Sequence, residues 1–144
     1  MRLVLDANVV VSGVAGSRHP NSTPGAIYRA WRNGAFDLVL SEHIVEEVGR
    51  ALADRSFRQR LSPQQISGAR IVLRRRSIIV PITVEVHGVA THPEDDLVLA
   101  TAVSARVDYL VTGDIQLQKL KTYEGVTILS PRAFLDVLEG GGDK

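Results

Sequence analysis

The chain has 144 residues with 17 Lys plus Arg against 16 Asp plus Glu, a net charge of +1, so only the distribution of charge can argue for or against a polyanionic partner. That length suits one domain burying about two-thirds of its unfolded surface, which needs no staples. The absence of cysteine excludes disulfides, zinc ribbons and thiol nucleophiles and fits a reducing compartment, while His19, His43, His87 and His92 lack metal-ligand spacing and read as loop or surface residues.

Arg2 to Asp6 opens the chain as a short unbroken apolar run that meets a charge too soon for a signal peptide or a membrane span, so a cytoplasmic protein with no membrane contact is expected. Continuous rather than alternating hydrophobicity suits a strand covered on both faces, as in a parallel sheet. A polar, glycine-containing loop is expected from Ser12 to Asn21. Thr23-Pro24 then reads as N-cap and first helical residue of a helix that stops near Asn33-Gly34. FDLVLS, 36 to 41, is a second strand, and Ser41 caps a helix whose Ile44, Val48, Ala51 and Leu52 repeat at helical spacing to about Ala53.

Ser62-Pro63-Gln64-Gln65 has the form of a capping box and begins a helix ending in Arg74-Arg75-Arg76. SIIVP and TVEV are strand-like, and HPEDD starts an alanine-rich helix reaching Ala105. YLVT and VTILS are further strands, and Ser130-Pro131 opens a closing helix to Glu139. The alternation predicts a doubly wound α/β domain over residues 1–139 without internal repeat, followed by a flexible tail at 140–144. Ligands in such sheets bind outside the carboxyl ends of the strands.

That rule sorts the acids. Asp37 and Asp108 precede their strands and lie at the opposite edge, whereas Asp6 ends the first strand and Asp114 follows YLVT, both on the ligand-binding edge. On the helix from Ser41, residues three and four apart share a face, so Glu47 joins the apolar stripe of Ile44, Val48 and Ala51, while Glu46 lies with Glu42, His43 and Arg50. A carboxylate on the apolar stripe is an anomaly of the kind expected at functional sites. Glu94, Asp95 and Asp96 suit a first helical turn for dipole reasons alone, and position does not separate Asp95 from Asp96. Four acids in one pocket repel one another unless a cation sits among them. Oxygen-only ligands without His or Cys suit a hard cation, Mg²⁺ or Mn²⁺, and make the aspartate of VTGD tolerable as a ligand.

LVLDANVVVSG, SEHIVEEVGRAL, HPEDDLVLATAV, YLVTGDIQLQKL and VTILSPRAFLDVL, in that order over nearly the whole chain, resemble a PIN-domain protein of the VapC-like group, toxin components of toxin–antitoxin systems. The resemblance implies a single PIN-like α/β domain with a parallel sheet of about five strands sandwiched by helices. It also implies Mg²⁺- or Mn²⁺-dependent endonucleolytic cleavage of RNA. By position it makes Asp6, Glu47, Asp95 and Asp114 the catalytic and metal-holding acids, with Asn8 and Thr112 supporting them. The choice of Asp95 over Asp96 comes from the resemblance alone. Water activated by one or two metals and attacking in line would leave 5′-phosphate and 3′-hydroxyl ends.

Arg70, Arg74, Arg75 and Arg76, with Arg55, Arg58 and Arg60, concentrate basic charge in the middle third. They are candidates for RNA contact, against a simple solvated helix face or an antitoxin-docking face. The family resemblance further implies a cognate antitoxin and a homodimer. Two other readings compete: a phosphotransfer or phosphatase domain, weakened because DAN lacks a second aspartate two residues on, and a catalytically silent PIN-like module binding RNA or protein.

Overall fold

A computed structural model describes the chain over residues 1–141. Its strands are β1 (Arg2–Leu5), β2 (Asp37–Leu40), β3 (Ile78–Ile79), β4 (Tyr109–Val111), β5 (Thr122–Tyr123) and β6 (Val126–Leu129). Its helices are α1 (Ala7–Ala15), α2 (Thr23–Arg32), α3 (Glu42–Leu52), α4 (Arg55–Arg58), α5 (Pro63–Arg76), α6 (Pro93–Ala105), α7 (Ile115–Gln118) and α8 (Pro131–Asp136), the last continued by a π-helical turn over Val137–Gly141. The tail expected from 140 onward is part of that turn at Gly140 and Gly141, and its remainder, 142–144, lies outside the described residues.

The six strands form one sheet in the order β3-β2-β1-β4-β6-β5, parallel throughout except for β5, which pairs antiparallel with β6 at one edge. The apolar runs are buried on both faces: Leu3, Val4, Leu5, Leu38, Val39, Leu40, Leu110 and Val111 are each at most 2% exposed. After β1 the chain builds β2 and β3 on one side, then crosses to build β4, β6 and β5 on the other. The topological switch point therefore lies between β1 and β4, which pair from Leu3↔Tyr109 to Leu5↔Val111.

Three expected segments differ. Where a loop is expected from Ser12, α1 runs from Ala7 to Ala15, directly after Asp6, whose carbonyl accepts from Val9 N (2.9 Å) and Val10 N (3.1 Å). Its valines disfavour helix only weakly, and burial of Val9, Val10, Val11 and Val14 outweighs that preference. A Cβ on Gly13 would stand 3.0 Å from the Pro24 carbonyl oxygen and from Tyr28 Cβ, so glycine lets α1 lie close against α2. The cap of α2 is Ser22, accepting from Gly25 N at 3.0 Å, one residue before the expected Thr23.

TVEV forms no strand. The segment runs over α6, and its first two amides are taken by one side chain of that helix: Ser104 Oγ accepts from Thr83 N (2.9 Å) and Val84 N (3.2 Å). Backbone donors satisfied in this way need no neighbouring strand. The short β5 forms because Glu124 (φ 48°) and Gly125 (φ 83°) both take the left-handed conformation of a two-residue hairpin turn.

Candidate functional site

Asp6 and the segment Thr112-Gly113-Asp114 leave adjacent strands at the switch point, and Asp6 N donates to the Val111 carbonyl at 2.9 Å. Thr112, fully buried, joins the two aspartates: its Oγ1 donates to Asp6 Oδ2 at 2.8 Å and accepts from Asp114 N at 3.0 Å. Asp114 in turn caps α7, with Oδ1 accepting from Gln116 N at 2.8 Å and from Leu117 N at 3.4 Å. The polar residues that interrupt the apolar run after Val111 therefore form a built connection between two acids.

Two helices complete the site. On α3, Ile44, Val48 and Leu52 are buried, and Glu47 emerges from the flank beside them with 20% of its side chain exposed; Glu46 faces solvent. Ser41, the cap of α3, and Thr101 of α6 meet with their hydroxyl oxygens 2.8 Å apart, which sets α6 against the start of α3. The first turn of α6 then places Asp95 in the same cleft. Asp96 has a different role: it is buried, and its carboxylate accepts from Gly88 N (3.0 Å), Val89 N (3.2 Å) and Ala90 N (2.7 Å), gathering the loop before α6.

The resulting cleft, about 480 Å³ and open to solvent, is lined by Asp6, Asn8, Glu47, His92, Glu94, Asp95 and Asp114 with Ala7 and Gly113. No lysine or arginine lines it. Burial is the main cause that pushes the pKa of Asp6, Glu47 and Asp95 up. Repulsion adds to it, from Asp114 on Asp6, from Glu94 and Asp6 on Glu47, and from Asp6 and Asp114 on Asp95. For Asp6 the Thr112 hydroxyl opposes burial most, helped by the amides of Ala7 and Asn8, which approach the carboxylate without closing a cap hydrogen bond.

The donor set fits a hard divalent cation in two respects. Its oxygens carry more negative charge than the lining compensates, and Glu47 Oε1 is buried with no hydrogen bond. Among the described residues no three Asp, Glu or His side chains stand at the spacing of a closed ligand cage. Mg²⁺ typically uses only one or two carboxylates and keeps several waters, so an open cleft suits it better than a cage would.

Thus Asp6, Glu47, Asp95 and Asp114 share one cleft, Asn8 is exposed on its rim in the first turn of α1, and Thr112 lies beneath it. The α5 arginines do not share one stripe. Arg74 is held by Glu42 (2.8 and 3.1 Å) and Arg70 packs at Gly49, both on the flank of α3 away from Glu47. Arg76 donates to the Arg32 carbonyl (3.2 Å) and lies 5.9 Å from the Trp31 ring centre, and Arg75 is exposed, as the other three are. His43, read from sequence as a surface residue on the Glu46 side, instead stands against Glu47, with Nε2 3.0 Å from Oε1. The four-residue spacing between them carries that signal, because residues one helical turn apart share a flank.

Residues 2–116, a span that contains all five carboxylates lining the cleft, match the family described as PIN domain. No curated protein matches the chain. Among solved structures, the chain is similar to one in the crystal structure of VapBC2 from Rickettsia felis bound to a DNA fragment from their promoter. The TM-score is 0.59 at 14% identity, over 90% of this chain and 98% of that one. It is also similar to Mycobacterium tuberculosis VapC20, a Sarcin-Ricin loop cleaving toxin, with a TM-score of 0.56 at 13% identity over 85% of this chain and 97% of that one. At such identities the likeness establishes the fold.

Proposed function

The chain belongs to the PIN-domain family, and on that premise we propose that it is an Mg²⁺- or Mn²⁺-dependent endoribonuclease acting as the toxin of a toxin–antitoxin pair. The observation that carries this reading is the gathering of five carboxylates, from four separate segments, around one cleft at the switch point with no lysine or arginine lining it. A phosphodiester brought there without a cation would meet only repulsion. Asp6, Asp95 and Asp114 would hold the cation, and Glu47 Oε1, the buried oxygen without a donor, would hold it or orient the attacking water.

When bound, the cation would supply an activated water and offset charge on the leaving oxygen. The chain's own residues do the placing. Thr112 keeps Asp6 and Asp114 in fixed relation through one hydroxyl, and Asp114 caps α7 through Oδ1, which leaves Oδ2 outside that cap. Asn8 supports the ligands from the rim. Arg50, close enough to Glu47 to lower its pKa, and the exposed Arg75 offer positive charge to an RNA backbone outside the cleft. The similarity to a chain of VapBC2, solved on promoter DNA, supports a protein partner of the antitoxin kind.

The test is cleavage of a mixed pool of structured and single-stranded RNAs with Mn²⁺, with Mg²⁺ and with EDTA, beside Asp6→Asn. Cutting that needs metal, yields 5′-phosphate ends and falls at least about a hundredfold in the variant is expected. A folded protein that neither cuts nor binds Mn²⁺ would sink the reading and leave a silent module.

A further inference from the structure

We propose that His43 is a positioning residue of this site, clasping α3 to the first turn of α6 so that Glu47 faces Asp95 across the cleft with Oε1 left free. The inference rests on the carboxylate-site reading above and extends it to a residue outside the acid set. His43 stands in the first turn of α3, with only 18% of its side chain exposed. Its Nε2 is 3.2 Å from the Glu94 carbonyl oxygen, an atom that can only accept, so the Nε2 proton is directed there.

The same nitrogen is 3.0 Å from Glu47 Oε1, yet that oxygen receives no hydrogen bond. The two facts agree: the single proton on Nε2 is already used by the carbonyl. The imidazole therefore fixes where the Glu47 carboxylate sits by contact, without donating to Oε1. Lysine or arginine at this position would bring spare protons and bind that oxygen.

Its location makes it consequential. The acids come from two halves of the fold: α3 follows β2, whereas α6 precedes β4 on the far side of the switch point. Two polar links join these helices, the buried Ser41–Thr101 pair and His43–Glu94 at the cleft. Thr101 lies nearly two turns further along α6 than Asp95, so the first pair sets where the helices meet. The second sets how closely their acid-bearing ends approach.

The test compares wild type with His43→Ala, His43→Phe and His43→Gln, whose amide reaches about as far as the imidazole Nε2 and restores a donor. Two readouts are used: amide hydrogen exchange of metal-free protein, and Mn²⁺ affinity by calorimetry. His43→Ala and His43→Phe are expected to exchange faster at the Asp95 and Asp96 amides and to bind Mn²⁺ roughly tenfold more weakly. His43→Gln should recover most of both. Wild-type exchange at those amides, or faster exchange with unchanged Mn²⁺ affinity, would overturn the positioning role. If wild type binds no Mn²⁺, the cation reading fails, while the exchange rates of the metal-free variants still decide the clasp.

Discussion

Asp6 bears the greatest burden among the acids, since it is 7% exposed with one hydroxyl as its partner and other carboxylates as neighbours. Its pKa stands above the ordinary 3.8, with burial as the first cause, so the folded chain holds the Asp6 proton at pH values where the unfolded chain has released it. Stability from that difference is fully present below about 3.8 and is lost as pH rises through the raised value. Asp6→Asn, which keeps an oxygen for the Thr112 hydroxyl, should therefore melt roughly 2–5 °C above wild type at pH 7 in EDTA. The gap should narrow as pH is lowered through the raised value, because folded wild type then takes up the Asp6 proton. A variant no more stable than wild type at pH 7 would mean that Asp6 is compensated by something within the chain. The anomaly of Asp6, Glu47 and Asp114 was legible in sequence, because a strand end and a helix stripe each say which way a side chain faces. The separation of Asp95 from Asp96 and the contact of His43 with the Glu94 carbonyl were not, because both depend on which loop or helix lies opposite.

At the scale of elements, what decided the misread segments was tertiary context. α1 carries a strand-like run of valines, and α7 and β5 are too short to show a period. The loop before α6 reads as strand in TVEV because its apolar residues alternate, yet its amides pair with α6 side chains. Asp96 holds the far half of that loop through three amides. Asp96→Ala strands those donors, and denaturant unfolding should show a loss of about 2–3 kcal/mol, with faster exchange at Gly88, Val89 and Ala90. Asp96→Asn, retaining one acceptor, should lose less. Asp95→Ala should leave stability equal or higher while abolishing RNA cleavage, so the two adjacent acids separate cleanly into a loop anchor and a cleft ligand. Equal stability losses in Asp95→Ala and Asp96→Ala would overturn that division.

At the scale of the molecule, the cleft exists only because the sheet closes its two halves against each other. Asp6 and Glu47 come from one side of the chain crossing, Asp95 and Asp114 from the other, and the unfolded chain brings none of them together. A cation held by that set binds the folded state alone, so its binding energy adds to global stability by mass action. At a concentration of Mn²⁺ a hundredfold above its Kd, the denaturation midpoint of wild type should rise by the equivalent of about 2.7 kcal/mol with the m-value unchanged. EDTA should reverse the rise. Asp6→Asn and Asp114→Asn should each lose most of the increment, and the double variant should lose hardly more than either, since groups that act on one ion are not additive. An increment that survives in both single variants would place the cation elsewhere on the surface. One that changes the m-value would mean that Mn²⁺ also binds the unfolded chain or alters its compactness. The order of strands, which sets β1 beside β4, is thus what turns four acids scattered along the chain into one site whose occupancy the whole fold would report.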